Sequence, residues 1–230
     1  MSTGLQRKGI VRRNKMLHEA VKLFLENGYE KTTTASIAKA AGMSPSSFFA
    51  AFESKEALLL TLVEAMFESQ FRKACQLVAD EKDPVLLYAV ETAVQMYIIE
   101  LSEPLREMYV AAYSLPSTSE FIMSSMAERL QHIFSGYLPQ ARLKDFYEME
   151  IASAGVTRAF MAKHCDMYFT MERKLTRYLQ SCMTLYSVPT DKQQQIIQTV
   201  LAMDLKQAAG RVIEGMVQTA EAGMEKLSEG

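Results

Sequence analysis

Apolar residues recur along this chain at three- and four-residue intervals, and strand-like alternation is hard to find. The pattern predicts helices from end to end, an all-α fold. The first runs from about Ile10 to Glu26, with Ile10, Leu17, Ala20, Val21, Phe24 and Leu25 on one face, and Asn27-Gly28 ends it as a C-cap. Thr32, Thr33 and Thr34 offer caps for a short second helix, Ala35 to Ala41, stopped by Gly42. Ser44-Pro45 has the order N-cap, N1 and opens a third, Pro45 to Ala51. Ser54 opens a long fourth helix that carries Leu58, Leu62, Met66 and Phe67 and reaches about Val78.

Asp83-Pro84 repeats the N-cap, N1 order and starts a helix to about Leu101. Glu103-Pro104 breaks it and begins another, to about Leu115. Ser117-Thr118-Ser119-Glu120 reads as a capping box ahead of Phe121 to Tyr137, which Leu138-Pro139 ends. Two helices follow, about Ala141–His164 and Thr170–Tyr186. After Val188-Pro189, Thr190-x-x-Gln193 caps a last helical region to about Met224, with Gly210 as its candidate division point.

Composition narrows the function classes. An apolar content of 49% is too high for a disordered chain. The 25 basic and 27 acidic residues leave a net charge of −2, which excludes a uniformly basic nucleic-acid coat. The charge is uneven: residues 1–57 hold nine Lys/Arg and five Asp/Glu, while the remainder is acidic. A basic head on an acidic body points to an anionic partner for the head. Lys, Glu and Asp interrupt every apolar run, and no apolar stretch follows Arg7, Lys8, Arg12, Arg13 and Lys15, so neither a membrane span nor a signal peptide is expected. Cys75, Cys165 and Cys182 are odd in number and widely spaced, which suits a reducing, cytoplasmic setting.

Residues 33–52, TTASIAKAAGMSPSSFFAAF, carry the mechanism. Two short helices meet at the turn Ala41-Gly42-Met43-Ser44, with Ile37 and Ala38 spaced to pack on Phe48 and Phe52. This is a helix-turn-helix, whose second helix can enter the major groove of DNA. An ordinary αα-hairpin has the same spacing; the basic charge of residues 1–57 around it favours DNA.

In order along the chain stand Ala20-x-x-Leu23-Phe24, Asn27-Gly28-Tyr29, the Thr cluster, Ile37-Ala38, Ala41-Gly42-Met43-Ser44 and Phe52-Glu53-Ser54-Lys55-Glu56-Ala57-Leu58. With these features Ile10 to Gln70 resembles the DNA-binding domain of the TetR family of bacterial transcriptional repressors. The resemblance implies a DNA-binding domain at 10–70 and a helical effector-binding and dimerisation domain at 71–230. It also implies a homodimer on double-stranded operator DNA, and DNA contacts from Thr33, Thr34, Ser44, Pro45, Ser46, Ser47, Phe49 and Lys55. Thr33 and Lys55 would meet phosphates, and Arg7, Lys8, Arg12 and Arg13 would add non-specific attraction. The chain departs from the family where Phe49 replaces the usual Tyr and where Ala50 and Ala51 stand in place of larger residues. Few base-reading donors remain, so the operator would be read partly through DNA shape.

Residues 84–186 are rich in Met and aromatic residues. For a TetR-like chain they suggest an apolar cavity between helices for a small-molecule effector. The candidate lining is Tyr88, Glu91, Gln95 and Met96 on one helix, Tyr109 and Tyr113 on the next, and Phe121, Met126 and Phe160 beyond. A buried Glu91 would favour a cationic ligand; the alternative is that Tyr88, Glu91, Thr92 and Gln95 form a solvent face. His164-Cys165-Asp166 has residue types used in catalysis and metal binding, but no second half accompanies it, so no enzyme activity, metal or cofactor is expected. For dimerisation, Ala152-Ser153-Ala154-Gly155 with Val156 and Phe160 would let another helix approach closely; the Thr190–Met224 helix is the alternative. The function expected is a sequence-specific repressor released from its operator by a small, largely apolar ligand. The alternative is a helical small-molecule-binding protein with weak or lost operator reading.

Overall fold

A computed structural model describes the backbone of residues 4–77 and 83–228 and the side chains of 9–66 and 83–218. Arg7, Lys8, Phe67 and Cys75 therefore lie outside the described side chains, and Val78 outside the described residues altogether. The described backbone is helical and holds no strand. The order is α1 (Gly4–Asn27), α2 (Thr34–Ala40), α3 (Pro45–Ala51), α4 (Lys55–Leu77), α5 (Pro84–Leu101), α6 (Glu103–Ala112), α7 (Pro116–Phe134), α8 (Leu143–Ala162), α9 (Met171–Leu185), α10 (Thr190–Ala202) and α11 (Leu205–Ser228).

The amino-terminal unit closes around Met16, Ala20 and Phe24 of α1, Ile37 and Ala38 of α2, Phe48 of α3 and Leu58 of α4, all fully buried. The apolar spacing of α1 alone requires this, because Met16, Ala20 and Phe24 recur every four residues and need a cover. α5 is the central helix of the body. It is apolar and long enough to cross a membrane, yet most of it is buried inside the protein, against α4, α6, α10 and α11. Its N-cap is local: Asp83 accepts the N–H of Val85 at 3.0 Å, with Pro84 at the first position.

Two predicted boundaries move for identifiable reasons. α7 begins at Pro116, a turn before the expected Phe121, because Leu115 precedes a proline and is held extended. The expected capping box does not form; Ser117 instead donates its N–H (2.8 Å) and its hydroxyl (2.5 Å) to Glu56 at the start of α4. The last helical region divides at Met203-Asp204 and not at Gly210, since Asp204 Oδ1 accepts the Gln207 N–H at 3.1 Å and starts α11. Residues 70 and 71, the expected domain boundary, fall within the continuous α4.

Among the described residues, two polar contacts join the halves besides the continuity of α4. One is the Glu56–Ser117 contact. The other is the turn after α1: Gly28 adopts φ +82, and Glu107 of α6 fits so closely beside it that an added Cβ would lie 2.1 Å from Oε2. The same carboxylate accepts the N–H of Glu30 at 3.3 Å.

Candidate functional site

The helix-turn-helix is built by local hydrogen bonds. Thr33 caps α2: its Oγ1 accepts the Ser36 N–H at 3.0 Å, and Ser36 Oγ accepts the Thr33 N–H at 3.0 Å. This reciprocal box uses a serine where Glu or Gln is usual. At the other end Met43 N–H donates to Ala38 O at 2.8 Å and Gly42 N–H to Lys39 O at 3.0 Å, which requires the left-handed backbone (φ +68) that Gly42 supplies. Pro45 then starts α3. Phe48 turns inward and packs against Phe52, ring centroids 5.8 Å apart.

The outward face of α3 is Pro45, Ser46, Phe49 and Ala50, with Ser47 half-buried. Phe49 is 58% exposed, and its ring meets the edge of Phe48 at 5.5 Å and 78°. Ser44 Oγ lies 2.9 Å from both Ser46 Oγ and Ser47 Oγ, so the three hydroxyls serve one another. Between α1 and α3 runs a cleft of about 560 Å³ lined by Gly9, Ile10, Arg12 and Arg13 on one side and Ser47, Ala50 and Ala51 on the other. Arg13 donates to Thr61 Oγ1 at 3.0 Å and lies 4.7 Å above the Phe52 ring. Thr33 is exposed, and Thr34 beside it is half-buried.

Lys55 has a structural task as well. Its ammonium donates to Tyr29 O (2.9 Å) and Thr32 O (3.1 Å) and sits 4.0 Å above the Tyr29 ring. Burial, with Glu30 and Glu56 nearby, pushes the Tyr29 phenol up to about 12. The two carbonyls take two of the ammonium's three N–H groups. Lys55→Ala is expected to destabilise the fold by about 1–2 kcal/mol through the two lost carbonyl partners. It is also expected to weaken binding to all duplexes alike, lowering the salt slope by about 1. Urea unfolding and a salt titration of DNA affinity measure the two effects; an unchanged slope removes the phosphate contact.

A cavity of about 70 Å³ opens between α4, α5, α6 and α7. Of the expected lining, Glu91, Gln95, Tyr109, Tyr113 and Met126 face it. Tyr88, Met96, Phe121 and Phe160 do not line it. Tyr88 packs edge-on against Phe134 at 5.3 Å, Met96 is fully buried in the core, and Phe160 packs against Phe169 and Tyr178. Met108, one of the Met residues of 84–186, also lines it, and unforeseen walls come from Leu59, Val63 and Met66 of α4, with Ala112 and Ile122. The signal was present: Leu59, Val63 and Met66 keep one apolar face of α4 running past the amino-terminal unit.

Glu91 is buried, so its stripe is not a solvent face. Nor does it await a cationic ligand. Arg129 of α7 meets it in two parallel contacts, Nη2 to Oε2 at 2.5 Å and Nη1 to Oε1 at 3.4 Å. The pair leaves the cavity formally neutral.

Beyond Tyr113 lies a buried polar cluster. Glu150 of α8 accepts from the hydroxyls of Ser153 and, at 3.2 Å, Tyr186. Ser153 and Tyr186 are 2.7 Å apart, and Thr157 and Tyr178 pair at 3.1 Å. Burial raises the Glu150 carboxyl to about 7, against the pull of Ser153, Tyr186 and Arg129. Burial also pushes the Cys182 thiol up to about 12 and raises the phenols of Tyr88, Tyr113, Tyr178 and Tyr186.

The His164-Cys165-Asp166 run holds a loop. His164 Nε2 lies 3.5 Å from Glu103, Cys165 N–H donates to Glu100 at 3.0 Å, and Asp166 accepts the N–H groups of Tyr168 and Phe169 at 2.8 Å. Fully buried Lys174 joins the same Glu100 at 3.1 Å.

The sequence profile of bacterial regulatory proteins of the tetR family matches residues 16–62. Among curated proteins, the chain is 42% identical over 67 residues to the transcriptional regulator TcmR of Streptomyces glaucescens, covering 29% of this chain and 30% of TcmR. It is 28% identical over 111 residues to the transcriptional regulator QacR of Staphylococcus aureus, covering 47% of this chain and 59% of QacR. These matches thus span less than two thirds of either relative. The fold resembles that of RolR, solved in complex with resorcinol, with a TM-score of 0.65 at 17% identity over 83% of this chain and 95% of that one.

Proposed function

With an amino-terminal helix-turn-helix domain that belongs to the TetR family of bacterial regulatory proteins, we propose that this protein is a homodimeric, cytoplasmic repressor released from operator DNA by a small, uncharged, largely apolar ligand. The observation that carries the reading is the double duty of α4. Its first residue, Lys55, braces the turn between α1 and the helix-turn-helix, and its next turns, Leu59, Val63 and Met66, wall the cavity. A molecule that spreads those turns displaces the recognition helix, and its effect equals its differential affinity for the two arrangements.

The chemistry of the cavity supports the ligand class. Its one carboxylate is neutralised by Arg129, and the polar groups that remain are Gln95, Thr92 and the two tyrosines. At about 70 Å³ it is tight for a single ring as it stands. Met66, Met108 and Met126 line it, and unbranched Met side chains make room at low cost. For pairing, α8 presents Ile151 (50% exposed), Ala152, Gly155 and Ala159 outward, while Ser153 and Ala154 turn into the core. Phe160 is taken up inside the protomer, and α11 packs along α5 and α1, which favours α8 over the carboxy-terminal helix as the pairing face. Two protomers would then present two α3 helices to successive major grooves.

The test is the mobility of DNA flanking the protein's own gene, bound by the full chain with and without resorcinol as a single-ring probe. A discrete complex that the probe dissolves is the expected result. A probe that raises the melting temperature yet leaves DNA affinity unchanged overturns release. Absence of any complex leaves the second reading, a ligand-binding protein without operator recognition, which the bare Ala50 and Ala51 favour.

A further inference from the structure

We propose that α3 selects its operator by apolar contact between Phe49 and the 5-methyl groups of thymine. The inference rests on the operator-binding reading of α3 and says what that helix recognises. The outward face consists of Pro45, Ser46, Phe49 and Ala50, and Phe49 is the one long side chain on it. No amide, guanidinium or carboxylate stands there to form a bidentate pair with a base edge. The Ser46 hydroxyl is engaged by Ser44 at 2.9 Å, and serine distinguishes bases poorly in any case. In the major groove the apolar feature on a base edge is the thymine methyl. An exposed phenyl ring at that surface therefore finds its complement in thymine and in no other base.

The ring is placed for this in advance. Its edge-to-face contact with Phe48, itself fully buried, fixes its direction without covering it. The flanking charge is of the right kind: Arg12 and Arg13 line the adjoining cleft, and such groups attract phosphates irrespective of sequence. Affinity would come from the arginines, and discrimination from the ring. Burying one methyl is worth about a fourfold change in affinity, and two half-sites about fifteenfold.

The experiment begins with the full chain and a pool of random duplexes, selected through repeated rounds at fixed salt. The enriched duplex is then remade with deoxyuridine in place of thymidine, which removes the methyl and keeps the pairing. The wild-type protein is expected to bind the uracil duplex about fourfold more weakly per half-site. Phe49→Ala, whose melting temperature reports that it folds, is expected to bind both duplexes equally, at the wild-type level for uracil. Phe49→Tyr keeps the ring and is expected to keep the discrimination; it also carries the test if the alanine variant does not fold. Equal binding of the two duplexes by the wild-type protein, or discrimination that survives in Phe49→Ala, overturns the methyl contact and leaves operator binding intact. A pool that never enriches overturns operator binding itself, and the methyl contact with it.

Discussion

Arg129→Met is expected to destabilise the protein by about 3 kcal/mol, the lower end of the cost of breaking a buried ion pair. The Glu91 side chain is 8% exposed and that of Arg129 20%. Without the guanidinium, a carboxylate is left against Leu59, Val63 and Ile122 with its charge unanswered. The lower end applies because Arg129 is partly in contact with solvent. The companion variant separates charge from packing. Glu91→Leu with Arg129→Met removes both charges, keeps similar volumes, and is expected to recover most of the loss, since a pair removed whole leaves nothing uncompensated. Urea unfolding of the wild type, both single variants and the double variant gives the coupling directly. A single variant that loses under 1 kcal/mol, or a double variant that loses the sum of the two, would sink the idea that the pair exists to neutralise the cavity wall. The double variant should also retain any uncharged effector that the wild type binds.

Glu150→Gln is expected to change how stability depends on pH. In the native protein burial raises the carboxyl from 4.5 to about 7. Between those values the folded protein holds a proton that the unfolded chain has released, so stability falls as pH rises through the window. The contribution is complete below pH 4.5, is lost by a little above pH 7, and amounts to about 3 kcal/mol. The groups facing the carboxyl are Arg129 of α7, Ser153 of α8, Tyr186 and Cys182 at the end of α9, Tyr178 of α9, Tyr88 of α5 and Tyr113 just after α6. Glutamine keeps the size and hydrogen-bonding capacity but cannot ionise. The variant should lose no stability to this group between pH 5 and 8, while the wild type does. Acids shifted the other way, Asp83 and Glu100 among them, act alike in both proteins and cancel in the comparison. Urea midpoints at the two pH values decide the matter, and parallel trends would sink it. The cluster adjoins the cavity through Tyr113, so the affinity of any ligand the cavity binds should also diverge between the proteins at the same two pH values.

Where local rules act alone, the sequence was a sufficient guide. Asp83-Pro84 and Ser44-Pro45 open α5 and α3 at the expected residues, because a capping position followed by proline allows one start. Gly42 and Gly28 stand at two of the turns with a left-handed backbone among the described residues; Ser187 holds a third. The helix-turn-helix was legible for the same reason: its cap, its turn and its inward Ile37, Ala38, Phe48 and Phe52 all lie within twenty consecutive residues. Local rules misled where a distant partner intervened. Ser117 looked like a cap for its own helix, but Glu56 takes both its hydrogens across 61 residues.

The sequence by itself determined the all-helical fold, the helix-turn-helix within a basic amino-terminal segment and the scarcity of base-reading donors on α3, since each follows from spacing, capping and side-chain type within a short window. Only the tertiary structure decided which Met and Tyr residues face a cavity, that Arg129 neutralises Glu91, that Glu150 sits buried among tyrosines, and that Lys55 braces the turn after α1. Those outcomes depend on which helices lie beside one another, and periodicity within one helix carries no record of the helix it will meet.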